Sequence, residues 1–443
     1  MNEMEAIGVI GMVVAIAALV YLTFKGMNGF VASLIATVII IVTSGLSFWD
    51  TLVNSYAASL GGIFASYLFM FCVASAYSEL MKQSGAAESI ANFFFNIFGV
   101  KASCAATLII SFLLAYSGIN AFIIIFAIYP VAVPMFRKAN ISKNLMPAIF
   151  LYGSVVLNVV TPGSPSMLCI ALSEKLGTST FSAPVMAGII LILAFGIGIV
   201  YFTWSAKSLR AKGDAFVASE SDADLIAGST SGKELPPFYL AILPYIAIIV
   251  LKLVLANSMS SSDSVCTSIL VGAVVLVITN YKYLKGHVVK DFTSGWLSSI
   301  NALLLTAALM GFASVVNISV GFQYFIDFAM TMATKMNPYL SAVVCINVFS
   351  GVTGASLSGT QIFCSTLMDQ FVGLGVNTQA LYKILSVASM GLDTLPHCPT
   401  FVMMAAVCGV TTKASYKHVL MMTVITPIVL ALVGVVLATI GIV

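Results

Sequence analysis

Charge is the scarcest property of this chain. Only 8% of its 443 residues are Asp, Glu, Lys or Arg, and it holds three histidines. A soluble domain carries roughly a quarter charged residues, so a solvated fold of this size is excluded. Paired cysteines are missing too. The eight cysteines lie scattered through apolar segments without CxxC or Cys/His spacing. That pattern supplies neither a zinc site nor a disulfide frame, so no metal and no cofactor is expected. No HExxH, GxSxG or GxxxxGK[ST] motif occurs, which removes the common signatures of a membrane enzyme or a nucleotide-driven pump. The net charge of +3 argues for no nucleic-acid partner.

What remains is apolar. Hydrophobic residues make up 60% of the chain and the mean hydropathy is +1.08. Apolar stretches of roughly 17–25 residues recur, the length a helix needs to cross a bilayer. The fold class is therefore all-α and polytopic, with the lipid bilayer as its first partner. Crossings are expected near 4–24, 29–46, 57–80, 145–173 and 183–204, and again near 237–257, 265–281, 293–316, 379–412 and 418–442. The first stretch lacks the basic start and cleavage site of a signal peptide and is kept as a crossing. Residues 205–236 hold most of the chain's clustered charge and read as an exposed cytoplasmic linker between residues 1–204 and 237–443.

The two halves resemble each other. "AYSGINA" (Ala115–Ala121) answers "VFSGVTGA" (Val348–Ala355), and "LNVVTPGSP" answers "LDTLPHCP" after one gap. Pro162 then faces Pro396, Pro165 faces Pro399, and Asn158 faces Asp393. Chance accounts for shared Leu and Val more easily than for Ser-Gly and Pro-x-x-Pro in the same order. Five crossings per half would turn the second half upside down. With the first loop in the cytoplasm, all but Lys175, Lys252, Lys335 and Lys383 of the 19 lysines and arginines fall on that side, the positive-inside bias. Both termini are then outside. Two inverted repeats are a transporter signature, because their symmetry lets one site open to either side.

Two kinds of break are expected in each half. The segments near 102–137 and 338–372 have arms too short for a roughly 30 Å hydrocarbon core. They read as re-entrant hairpins with polar tips at Ser117, Gly118 and Asn120, and at Ser350, Gly351, Thr353 and Gly354. Pro162 and Pro396 should end half-helices mid-membrane, since proline lacks an amide donor and clashes with the preceding turn. Asn158, Thr161, Gly163 and Ser164 gather at one break, and Asp393, Thr394, His397 and Cys398 at the other. Freed amides at a half-helix start attract anions, so these fourteen positions other than Asp393 are the expected substrate-binding set. Asp393 and His397 are the expected proton-coupling pair. An ionisable group at membrane depth is usually functional, and an imidazole titrates near neutral pH. Plain proline kinks in packed helices would leave this gathering of polar side chains unexplained.

The pattern resembles the gluconate permeases, a proton-coupled branch of the ion transporter superfamily of elevator carriers. "MKQSGAAESIANFFFNIFG" (Met81–Gly99) looks like that branch's Ser-Gly-Gly-Ala…Ile-Ala segment, with Ala86 in place of the second glycine. "DTLPHCPTF…AAVCGVTTKASYKHV" (Asp393–Val419) is similar to its Asp-Thr-Leu-Pro-His and Cys-Gly-Leu-Thr…Ser-Tyr-Lys segments. The tips and the Thr-Pro break also resemble those of dicarboxylate carriers, though no Asn directly follows Ser117 or Ser350 as in their sodium sites. The resemblance implies a homodimer in the inner (plasma) membrane, with scaffold helices holding two mobile transport domains. It implies a secondary carrier that imports a hydroxy- or short-chain carboxylate with protons and is not an enzyme. A sodium-coupled carboxylate carrier and a cation/proton antiporter of the same superfamily remain the alternatives. A channel is a further one.

Overall fold

The computed structural model describes residues 3–25, 27–98, 103–116, 121–219, 222, 234–255, 259, 261–284, 286–324, 331 and 337–443. Every regular element among them is helical. Helices α1 (Glu3–Phe24) and α2 (Gly29–Thr43) are followed by α3 (Phe48–Gln83) and α4 (Ala86–Phe98). Then come α5 (Ser103–Tyr116), α6 (Ala121–Ala139), α7 (Lys143–Val160), α8 (Met167–Leu176) and α9 (Pro184–Ala211). After the linker run α10 (Phe238–Leu255), α11 (Ser261–Leu284) and α12 (Val288–Asn317). The chain closes with α13 (Pro338–Thr353), α14 (Ser356–Thr366), α15 (Met368–Gly373), α16 (Thr378–Ala388), α17 (Pro399–Val407) and α18 (Thr412–Thr439).

Seven helical segments among the described residues are long and apolar enough to cross a membrane, α3, α7, α9, α12 and α18 among them. The chain is a multi-pass membrane protein. Helix starts are set by side chains that take up the free first-turn amides. Asn28 accepts from Phe30 N, Asn337 from Tyr339 and Leu340 N, and Asn377 from Gln379 and Ala380 N. Single π-helical turns interrupt α3 at Leu52–Ala57, α7 at Tyr152–Leu157 and α18 at Leu420–Ile425.

The packing divides the helices into two groups. In the first, α3 lies along α12 in the most extensive contact of the molecule. Small residues let the backbones approach, as between helices in lipid. A Cβ on Gly295 would stand 2.6 Å from Ala76 Cα, and one on Gly311 would stand 2.9 Å from the Tyr56 carbonyl oxygen. Ser314 Oγ adds a 2.9 Å hydrogen bond to the Ser55 carbonyl. Helix α1 packs on α2 and α10 on α11, while α2 rests on α12 and α11 on α3. The second group is made of α5 to α8 and α13 to α17, closed by α9 and α18. Its helix α7 is almost wholly buried inside the protein.

The linker departs from the expectation of an exposed tether. Helix α9 continues into it as far as Ala211, and Ser205 is buried. Asp222 is sealed against Lys143 and Tyr129. Asn140 Oδ1 accepts from Phe216 N at 3.2 Å, and Arg210 donates to the Ala139 carbonyl. The charge that marked this segment as solvated is thus spent partly on docking its first half under the turn between α6 and α7.

Candidate functional site

The first break follows α7. Thr161 leaves the helix with an extended backbone (φ −73°, ψ 136°) just before Pro162, as the proline requires. Gly163 then turns left-handed at φ +71°, and its amide donates to the Thr180 carbonyl at 3.0 Å. A side chain there would be strained and would strike the Phe181 ring, 2.2 Å from an added Cβ. Thr161 Oγ1 donates back to the Leu157 carbonyl at 2.7 Å. Ser164 Oγ lies 3.5 Å from Asn158 Oδ1 and accepts from Ser166 N at 3.3 Å. Tyr116, the last residue of α5, donates to the Pro162 carbonyl at 3.0 Å. Asn158, Thr161, Gly163 and Ser164 are therefore brought together. Ser117, Gly118 and Asn120 lie outside the described residues.

At the second break the proline assignment needs correcting. Helix α16 ends at Ala388, well before Pro396, and Pro399 is the first residue of α17. A run of turns held by Ser389, Met390 and Gly391 amides ends α16. Asp393 lies in those turns, beyond the half-helix rather than in its last turn. Its position is set from outside. Thr394 donates its hydroxyl to the carboxyl, and the Ser356 hydroxyl and amide at the start of α14 also face it. A helix start favours negative charge.

The second hairpin also turns later than expected. Ser350 and Gly351 are the helical end of α13, and the chain reverses at Gly354, left-handed at φ +64°. Gly354 lies against the imidazole, with His397 Cδ2 2.8 Å from an added Cβ. Gly391 admits Asn347 Oδ1 at 2.1 Å from the equivalent point, and Gly359 admits Ser350 Oγ at 2.3 Å. The first two approaches join α13 and its turn to the break, and the third joins α13 to α14. Ser350, Gly351, Thr353, Gly354, Asp393, Thr394, His397 and Cys398 form one buried cluster. Thr353 is spent on its own helix, donating to the Phe349 carbonyl at 2.8 Å. Asn347 Oδ1, Ser350 Oγ and Thr360 Oγ1 are buried with no hydrogen-bond partner among the described residues, and the buried His397 ring faces the Gly351 backbone. Buried polar atoms are rarely left so, and this group is open to a ligand, water or proton.

The two breaks are set beside each other. Helix α8 packs on α14 and α17 on α6. Helix α16 meets the end of α7. Sequence reasoning missed Lys383, which it placed near an outer end. The lysine is 1% exposed and donates to the Val159 carbonyl at 3.3 Å. A lone cation inside the apolar "LYKILSVASMG" was the available signal. A tally of loop charges treats every lysine as solvated.

The family model described as GntP family permease matches residues 7–441. An uncharacterized transporter of Bacillus subtilis, YxjC, is 22% identical over 94% of this chain and 96% of its own length. An uncharacterized transporter of Haemophilus influenzae is 23% identical over 73% of each chain, and an uncharacterized permease of the same organism is 28% identical over 55% of this chain and 50% of its own. The crystal structure of the Alcanivorax borkumensis YdaH transporter aligns over 87% of this chain and 88% of that one, at 14% identity and a TM-score of 0.41.

Proposed function

The chain belongs to the GntP permease family, and from that premise we propose that it is a secondary carrier importing a small hydroxy- or short-chain carboxylate by proton symport. The reading rests most on the second break. There an acid held at a helix start, Asp393, and a buried imidazole, His397, share a cluster at a helix interruption. Ionisable residues at membrane depth mark ion pathways. Asn158, Thr161 and Ser164 offer neutral hydrogen-bonding groups that suit hydroxyls and a single carboxylate. Thr394, Cys398 and the Ser117–Asn120 and Ser350–Gly354 tips complete the proposed lining.

The crossed packing of hairpins and half-helices supports two inverted repeats, residues 1–204 and 237–443. So does the matched arrangement of α1, α2 and α3 with α10, α11 and α12. In the elevator form of this reading, the α3–α12 group is the scaffold of a homodimer in the inner membrane, with both termini outside. The other group moves.

Reconstituted protein decides the matter. Uptake of radiolabelled D-gluconate, D-glycerate and butyrate into liposomes, driven by an inward proton gradient in choline buffer, covers polyhydroxy, hydroxy and bare acids. Accumulation of one of them that collapses with a protonophore is the expected result. Uptake that requires sodium selects the sodium-coupled alternative. Proton release exchanged for a cation, with no carboxylate moved, selects the antiporter.

A further inference from the structure

Lys383 is the buried charge that the proposed coupling pair leaves unused. It stands at the middle of α16, and its ammonium reaches the other interrupted helix. The last carbonyls of a helix have no partner within it. At the end of α7 they can be followed one by one. Thr161 Oγ1 donates to the Leu157 carbonyl at 2.7 Å and Thr161 N to that of Asn158 at 3.3 Å. The Val159 carbonyl receives Lys383 Nζ at 3.3 Å. This helix end carries partial negative charge inside the protein, a place that favours a cation.

Among the described residues no carboxylate ion-pairs with Lys383. Its titratable neighbours are Cys169, whose Sγ lies 4.0 Å from the same Val159 carbonyl, and Tyr382, which donates to the Thr180 carbonyl at 3.3 Å. Glu174 and Lys175 on α8 are exposed. The charge of Lys383 is therefore matched by the helix end itself.

The second break is closed differently. Amides of Ser389, Met390 and Gly391 take the carbonyls of Leu385, Val387 and Ala388, at 3.0, 3.3 and 2.9 Å. Hydroxyls of Ser386 and Ser389 take those of Lys383 and Ser386, at 2.8 and 2.9 Å. No lysine or arginine ion-pairs with Asp393 among the described residues. One break holds a fixed cation, and the other holds an acid and a buried imidazole.

We infer that Lys383 is the tethered cation of the first break, so that the exchangeable coupling cation of a transport cycle is confined to the second break, at Asp393 and His397. The inference deepens the carrier reading by fixing where ions are exchanged.

The test needs no substrate, so failure of the carboxylate panel leaves it standing. Purified wild type, Lys383→Ala and Lys383→Met are melted in choline, sodium or methylammonium chloride at equal ionic strength. Wild type should melt alike in the three salts. Lys383→Ala should melt lower in choline and be restored, saturably, by methylammonium or sodium. Lys383→Met, whose longer side chain keeps the space filled, should melt lower without restoration. If Lys383→Ala fails to fold in choline, recovery of monodisperse protein on adding methylammonium is the same result. Both variants melting like wild type, or Lys383→Ala ignoring sodium and methylammonium, would overturn the inference.

Discussion

Lys143 donates to the carboxylate of Asp222 in an ion pair whose side chains are 3% and 0% exposed. The pair joins the first residue of α7 to the linker, and Tyr129 on α6 donates to the same carboxyl. It ties an interrupted helix and a hairpin arm to the segment that connects the two halves of the chain. Its removal is the first expectation. Asp222→Ala should lower unfolding stability by about 3–5 kcal/mol, because it strands a buried ammonium. A Lys143→Met, Asp222→Leu double variant should recover most of that. Denaturant titration of the three proteins measures it, and a single-variant loss under about 1 kcal/mol would show the pair to be solvated.

The pH response of this pair follows from its surroundings. Burial works against the charged carboxylate, but hydrogen bonds from Lys143, Tyr129 and the Ser219 amide outweigh it and hold the Asp222 carboxyl below its ordinary value. A depressed folded-state pKa contributes stability that is present above the unfolded value of about 3.9 and lost as pH falls through the lower folded one. The stability gap between wild type and Asp222→Asn should therefore be flat from about pH 8 to pH 5 and close only below about pH 4. A gap already shrinking between pH 7 and 5.5 would contradict this.

How much of this was legible beforehand differs between the two breaks. At the first, Thr161-Pro162-Gly163 carries its geometry locally: the proline forces the extended residue before it, and the glycine supplies the positive φ. At the second, Pro396 has the same spacing from Pro399, yet α16 stops at Ala388. Contacts from other elements, Asn347 against Gly391 and Ser356 toward Asp393, set that end. No local pattern encodes them. The same limit explains Ser350-Gly351, which continue as helix because Ser350 packs on Gly359. Lys143, Lys383 and Asp222 were misjudged together, since a charge reads as solvated until its partner, distant in sequence, is known.

Gly354 should prove irreplaceable where Gly61 is not. Ala at position 354 must hold a left-handed backbone, at about 1–2 kcal/mol, and its Cβ would press on the His397 ring. Ala at position 61 meets nothing within 4 Å. Gly354→Ala is expected to cut uptake severely with a modest loss of stability, and Gly61→Ala to leave both unchanged or slightly better. Equal behaviour of the two would remove the tip from the site.

Orientation is open to direct labelling. Val217 is 74% exposed and free of the Ser219–Asp222 contacts, so a cysteine there reports on the linker without disturbing it. A membrane-impermeant maleimide applied to intact cells should leave Val217→Cys unlabelled and should label a cysteine placed at Asn2, if positive charge sets the topology. The reverse pattern would turn the molecule over.

Asp393 and His397 carry the coupling proposal, and their roles separate by exchange. Asp393 is 6% exposed, held by Thr394 and faced by Ser356, while His397 is 3% exposed and faces the Gly351 backbone. Asp393→Asn keeps the shape and most hydrogen bonds but fixes the charge at zero. Such a variant should still exchange labelled for unlabelled substrate across a liposome, since exchange returns the loaded site without needing it to discharge. It should not accumulate substrate when only a pH difference is supplied. His397→Gln should weaken both activities together if the ring contacts the substrate, and only accumulation if the ring relays the proton. Accumulation by Asp393→Asn at the wild-type level would place the coupling group elsewhere, whatever the histidine variant did.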